Sequence, residues 1–123
     1  MHETFYEPFA GLVLVSVTIA GSPHLDFVLD SGATQSSLTD PFLARWLGLE
    51  VKEVGLARGV GPGARRVAVA EDTCIRMDGV EVLRAPLVVH DIGGQLEEGT
   101  GREIDGFLGA DFFARYVVEI DPA

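Results

Sequence analysis

An all-β fold with one or two short helices is what these 123 residues predict, and three observations carry that reading. Apolar residues recur with period two in stretch after stretch, turns rich in glycine and proline separate the stretches, and only two short segments show helical spacing. The length allows a single domain, residues 1–123, able to bury one core without staples. A content of 47% apolar residues with 15 glycines fits a compact, turn-rich globule.

The elements follow in order. Leu12 to Ala20 (LVLVSVTIA) is rich in β-branched residues and runs through Gly21-Ser22-Pro23-His24 into Leu25 to Leu29, the pattern of a hairpin. Thr39-Asp40-Pro41 then supplies an N-cap and an early proline, Leu43, Trp46 and Leu47 fall at helical spacing, and Gly48 offers a stop. That predicts a helix over 40–47. Three more strands are expected at Lys52 to Ala57, Arg66 to Met77 and Val80 to His90, divided by Gly59-Val60-Gly61-Pro62-Gly63 and by Asp78-Gly79. Residues 93–103 lack periodicity and are about a third glycine, so a mobile surface loop is expected there. A second short helix is expected from about Ala110 to Tyr116, and Val117 to Ile120 as a closing strand. No internal repeat and no linker divides the chain.

Nineteen acids against nine bases give a formal charge of −10, which repels phosphate backbones and anionic lipid. Nucleic acid is therefore not an expected partner. The single cysteine, Cys74, has no intramolecular partner and reads as an ordinary strand residue, while His2, His24 and His90 are far apart and show no metal-ligand spacing. Neither a metal nor a cofactor is expected. No apolar run approaches the roughly 20 residues that span a bilayer, and the first residues lack the pattern of a secretory signal. The chain is expected to be soluble as given, with no compartment assigned. It starts close to its first strand and stops at Ala123, just past Asp121-Pro122, as a domain excised from a longer chain would; a periplasmic or membrane-anchored parent is compatible with this.

The stretch with the most chemistry is FVLDSGATQSSL, residues 27–38. Leu25, Phe27 and Leu29 share one strand face, and Asp26, Val28 and Asp30 the other, so a carboxylate leaves the strand at its very end. Ser31-Gly32 then forces a turn: glycine tolerates close approach, and the hydroxyl can bond a neighbouring backbone group. By itself Asp-Ser-Gly is a common turn tripeptide, and a chain of this length carries one by chance on the order of a few per cent of the time. Its context is less common, with an apolar strand before it, Ala33-Thr34 after it and a capped helix about ten residues on.

Phe27-Val28-Leu29-Asp30-Ser31-Gly32-Ala33-Thr34 resembles the signature of the retroviral-type aspartic proteases, the retropepsin-like family, which includes bacterial single-domain members. Two further segments resemble that family in the same order: Arg58-Gly59-Val60-Gly61-Pro62 its glycine-rich flap, and residues 104–113 (IDGFLGADFF) its second motif. The likeness extends over roughly residues 11–121, and it implies a small closed β-barrel of the acid protease type with one or two short helices.

By that resemblance Asp30 is the catalytic aspartate, and Ser31, Gly32, Ala33 and Thr34 form the active-site turn, which Ser31 braces. Gly59, Val60 and Gly61 form the flap tip, and the second motif, Phe107, Leu108 and Gly109, packs beneath the Asp30 loop. The chain departs from the viral pattern at Ala110-Asp111, where viral members carry basic and amide residues, and is closer to the bacterial and cellular branches.

Aspartic peptidases hold a water between two carboxylates that share one proton. The chain has one Asp-Ser/Thr-Gly; Asp78-Gly79 and Asp105-Gly106 lack the hydroxyl residue, and Asp72-Thr73-Cys74 lacks the glycine. The resemblance therefore implies a symmetric homodimer with one Asp30 from each chain, hydrolysing a peptide or protein substrate. Two alternatives stand beside it: an intrachain pair of Asp30 with Asp105 or Asp111, and a catalytically inactive dimerisation or peptide-binding module on the same fold. Asp26, without a Ser-Gly turn, is expected at the surface.

Overall fold

The computed structural model of the chain describes residues 2–58 and 64–120. Eight strands run along it: β1 Tyr6–Phe9, β2 Leu12–Ile19, β3 Leu25–Leu29, β4 Ser37–Leu38, β5 Val51–Arg58, β6 Ala64–Met77, β7 Val80–Val89 and β8 Gly106–Leu108. They are hydrogen-bonded in the order β1-β2-β3-β8-β4-β7-β6-β5, and a further pairing of β2 with β6, Thr18↔Arg76 and Ile19↔Ile75, joins the sheet to itself. Six strands, β2, β3, β8, β4, β7 and β6, thus form a closed barrel, the architecture expected of the retropepsin-like fold. Among the described residues closure leaves only β1 and β5 as edges, and β1 carries Glu7 and Pro8, residues that blunt an edge.

Alternation along the strands fills the barrel. Val15, Val17 and Ile19 of β2, Leu25 and Phe27 of β3, Ile75 and Met77 of β6 and Leu83, Leu87 and Val89 of β7 form the main core, together with Leu38, Leu108 and Phe112. A second, smaller cluster of Leu14, Val28 and Ile104 packs with Phe9, Leu12, Leu96 and Phe107. Val28 is thus buried as fully as Phe27, and both faces of β3 are covered. The long strand β6 serves β5, β7 and β2 by bending at an irregularity between Ala70 and Thr73, where Asp72 adopts a φ of 49°. Cys74 sits on this strand, half-buried, its Sγ 3.1 Å from Glu81 Oε1.

Three short helices, α1 Pro41–Trp46, α2 Gly93–Thr100 and α3 Ala110–Phe113, complete the described residues. In α1 the Asp40 carboxylate accepts the Phe42 N–H at 2.8 Å and Pro41 stands in the first turn, the capping its sequence predicts. Of the residues at helical spacing, Leu43 and Leu47 pack on the core and Trp46 does not. It is 59% exposed beside Phe42 at 67%, because residues four apart share a helix face and this one points outward.

The expected loop at 93–103 is corrected, since 93–100 is helical. The N–H groups of Ile92 and Gly93 donate to Thr39 O at 2.9 Å, Leu96 covers the second cluster, and Gly101 ends the helix at φ 74°. Tertiary anchoring supplies what glycine-rich propensity withholds. At the far end α3 stops at Phe113, short of the expected Tyr116, and the expected closing strand is corrected, since residues 117–120 pair with no strand among the described residues. β1, the two-residue β4 and the three-residue β8, which carry little periodicity, were not expected as strands from the sequence.

Candidate active site

Asp30 leaves the barrel where β3 ends. β3 and β8 pair in parallel, Phe27↔Gly106 to Leu29↔Leu108, and the Asp30 N–H extends the ladder by donating to Leu108 O at 2.9 Å. The next residues turn back at once. Asp30 O accepts the Ala33 N–H at 3.1 Å, and its own Oδ1 accepts the Gly32 N–H at 3.0 Å, so the carboxylate is oriented by the turn it opens. A side chain at Gly32 would bring a Cβ to 3.3 Å from that oxygen. Ser31, Gly32 and Thr34 are exposed, and Asp30 is partly so. The turn therefore faces solvent in a single chain.

Beneath it lies the second motif. Phe107 and Leu108 belong to β8, and Gly109 precedes α3. A Cβ on Gly109 would stand 2.8 Å from Ala33 O and 2.9 Å from Gln35 O, so only glycine lets the two segments meet. Gly106 is equally constrained: its Cβ would lie 2.4 Å from the Phe27 ring. The Ala110 N–H donates to Ala33 O at 2.7 Å and fastens α3 to the turn.

Ser36, and Asp111, which the sequence offered only as an alternative partner for Asp30, hold this arrangement. Ser36 Oγ, buried, accepts the Gly109 N–H at 3.0 Å and donates to Asp111 Oδ1 at 2.5 Å, while the same Oδ1 takes the N–H groups of Ser36 at 3.0 Å and Phe112 at 2.9 Å. Ser31 makes no hydrogen bond through its hydroxyl among the described residues. Ser36 and Asp111 were hidden in the sequence by 75 positions of separation. The only signals were the run of small polar residues after Asp30 and the acidic departure from the viral pattern at 111.

The other carboxylates are engaged elsewhere. Asp105 lies opposite Asp26 at the start of β8, four residues below Asp30, about 13 Å along the strand at 3.3 Å per residue. Its Oδ2 accepts the Asp26 N–H at 2.9 Å, and burial pushes its carboxyl up. Asp26 pairs through its side chain with Arg102 at 3.2 Å; Arg102 also pairs with Glu7 and stacks over the Phe9 ring at 5.3 Å. Among the described residues no carboxylate is hydrogen-bonded to Asp30, and no three His, Cys, Asp or Glu side chains converge as a metal would need. Gly59, Val60 and Gly61, expected at a flap tip, lie outside the described residues; β5 and β6 pair as far as Arg58↔Ala64 on either side of them.

A closed six-stranded barrel with an Asp-Ser-Gly turn on its rim is the architecture of the single-lobed acid proteases. Residues 15–112 match the family model described as aspartyl protease, and the chain belongs to that family. Among solved structures, the retroviral protease-like domain of Ddi1 from Leishmania major is similar at 22% identity and a TM-score of 0.63, covering 90% of this chain and 82% of that one. The EIAV protease complexed with the inhibitor HBY-793 is similar at 21% identity and a TM-score of 0.58, covering 86% and 91%. A retropepsin-like aspartic protease from Rickettsia conorii is similar at 16% identity and a TM-score of 0.58, covering 98% and 91%. At these identities the likeness is one of fold. A search of curated proteins finds no match.

Proposed function

We propose that the chain is an aspartic endopeptidase that works as a symmetric homodimer, each copy contributing Asp30 to one shared site. The observation that carries this reading is a solvent-facing Asp30 turn with no second carboxylate of the same chain hydrogen-bonded to it among the described residues. Asp105 is on the other end of the β3–β8 pair, and Asp111 is committed to Ser36. A partner carboxylate has to come from elsewhere, and a twofold axis supplies an identical one.

In the pair, one Asp30 is ionised and the other protonated, because two carboxylates roughly 3 Å apart share a proton. The ionised group takes a proton from the bound water as its oxygen attacks the scissile carbonyl carbon, and the protonated group hydrogen-bonds the carbonyl oxygen. A proton then passes to the amide nitrogen as the C–N bond breaks, returning the pair to its starting state. Ser31 braces the turn within the assembled pair, Gly32, Ala33 and Thr34 complete it, and Leu108-Gly109 fix its height above β8. The Gly59-Val60-Gly61 segment covers an extended substrate whose backbone adds to a strand edge.

Asp30→Asn tests this. Wild type is expected to cleave peptides with a mildly acidic optimum and to be blocked by a statine-type transition-state mimic, and the variant to fold and do neither. No hydrolysis across a broad peptide library from about pH 3 to pH 8 would leave the dimeric peptide-binding module as the better account.

A further inference from the structure

We propose that the groove between α1 and the start of β8 is a docking site for an arginine-bearing segment of a partner protein. The groove, about 340 Å³, is lined by the aromatic side chains of Phe42 and Trp46, by the acids Asp40, Glu103 and Asp105, and by His24. It opens beside Leu25, the first residue of β3, whereas Asp30 follows the last, about 16 Å away along the strand. It is therefore separate from the Asp30 turn.

Three features specify the occupant. Phe42 and Trp46 are 67% and 59% exposed although each could have been turned into a core, so the outer face of α1 offers flat aromatic surface. None of the three acids is in an ion pair among the described residues, and neither lysine nor arginine lines the groove. Of the two arginines adjacent in sequence to lining residues, Arg45 and Arg102, neither lines the groove, and Arg102 pairs with Glu7 and Asp26. The acids also repel one another: Asp105 holds the Glu103 carboxyl up, and burial does the same to Asp105. A guanidinium suits both kinds of lining, stacking on an aromatic face while donating to carboxylates, which a compact ammonium does less well. A second copy, at −10, and an anionic membrane are both disfavoured by charge.

Trp46 is the single tryptophan of the chain, so its emission reports on the groove directly. The probe is the capped tetrapeptide Ac-Ala-Arg-Leu-Arg-amide, titrated into wild type and into Asp30→Asn. The expected result is a saturable change in Trp46 emission in both, weakened by salt, weakened roughly tenfold by Glu103→Gln, and absent with the Ala-Glu-Leu-Glu peptide. Equal response to the two peptides, indifference to Glu103→Gln, or no saturable response would overturn the proposal. So would an emission change driven by protein concentration alone and abolished by Glu103→Gln, which would assign the groove to a second copy. Because Asp30→Asn is expected to bind unchanged, failure of the peptidase reading and failure of this one are separable.

Discussion

Gly109 and Ser36, more than Ser31, fix the Asp30 turn within one chain. Gly109 admits no Cβ, with Ala33 O only 2.8 Å from where it would stand, so Gly109→Ala is expected to cost about 2–3 kcal/mol as an overpacked contact between backbones. Urea titration checks this; an unchanged midpoint would mean that the turn is looser than described. Asp105 carries a pH prediction. Its carboxyl is pushed up by burial, so the stability it contributes is complete below the ordinary aspartate range, about pH 3.9, and is lost as pH rises through the raised value. Asn at 105 can still accept the Asp26 N–H. Asp105→Asn should therefore be at least as stable as wild type at neutral pH, its advantage vanishing toward about pH 3; a variant less stable than wild type at neutral pH contradicts the assignment. At this scale the turn was legible because its residues are contiguous. The Ser36–Asp111 contact was not, since it joins distant positions through buried hydrogen bonds.

Elements whose pattern is local were read well, and those held by distant partners were not. The hairpin of β2 and β3, the capped helix α1 and the strands β5 to β7 carry period-two or capping signals within their own residues. Helix α2 carries none: it contains Gly93, Gly94 and Gly99 and no buried residue, and Leu96 with the Thr39 carbonyl hold it in place. Leu96→Ala should lower stability by about 1–2 kcal/mol, below the range for a fully buried leucine, with faster amide exchange confined to 93–101. Global loss of protection would show that α2 belongs to the main cooperative unit. The stretch 117–120 is the converse case, strand-like in composition yet unpaired among the described residues, because a strand's hydrogen bonds require a neighbour that its own composition does not specify.

Over the whole molecule, the closed barrel follows from the return of β6 to β2, a contact that composition and periodicity alone do not reveal and that the family resemblance implied. Charge sets the terms of assembly. Two copies at −10 each repel, and salt screens that repulsion beyond a Debye length of about 8 Å at physiological strength. Dimers should therefore tighten as salt rises; sedimentation showing an active monomer at every salt concentration would contradict a shared site. The most direct measurement mixes the two forms. Wild type equilibrated with a roughly ninefold excess of Asp30→Asn should lose about tenfold in activity per wild-type chain, because statistical pairing places most wild-type copies opposite a chain without the carboxylate. Activity per wild-type chain that stays constant on mixing would contradict a site built from two Asp30 residues.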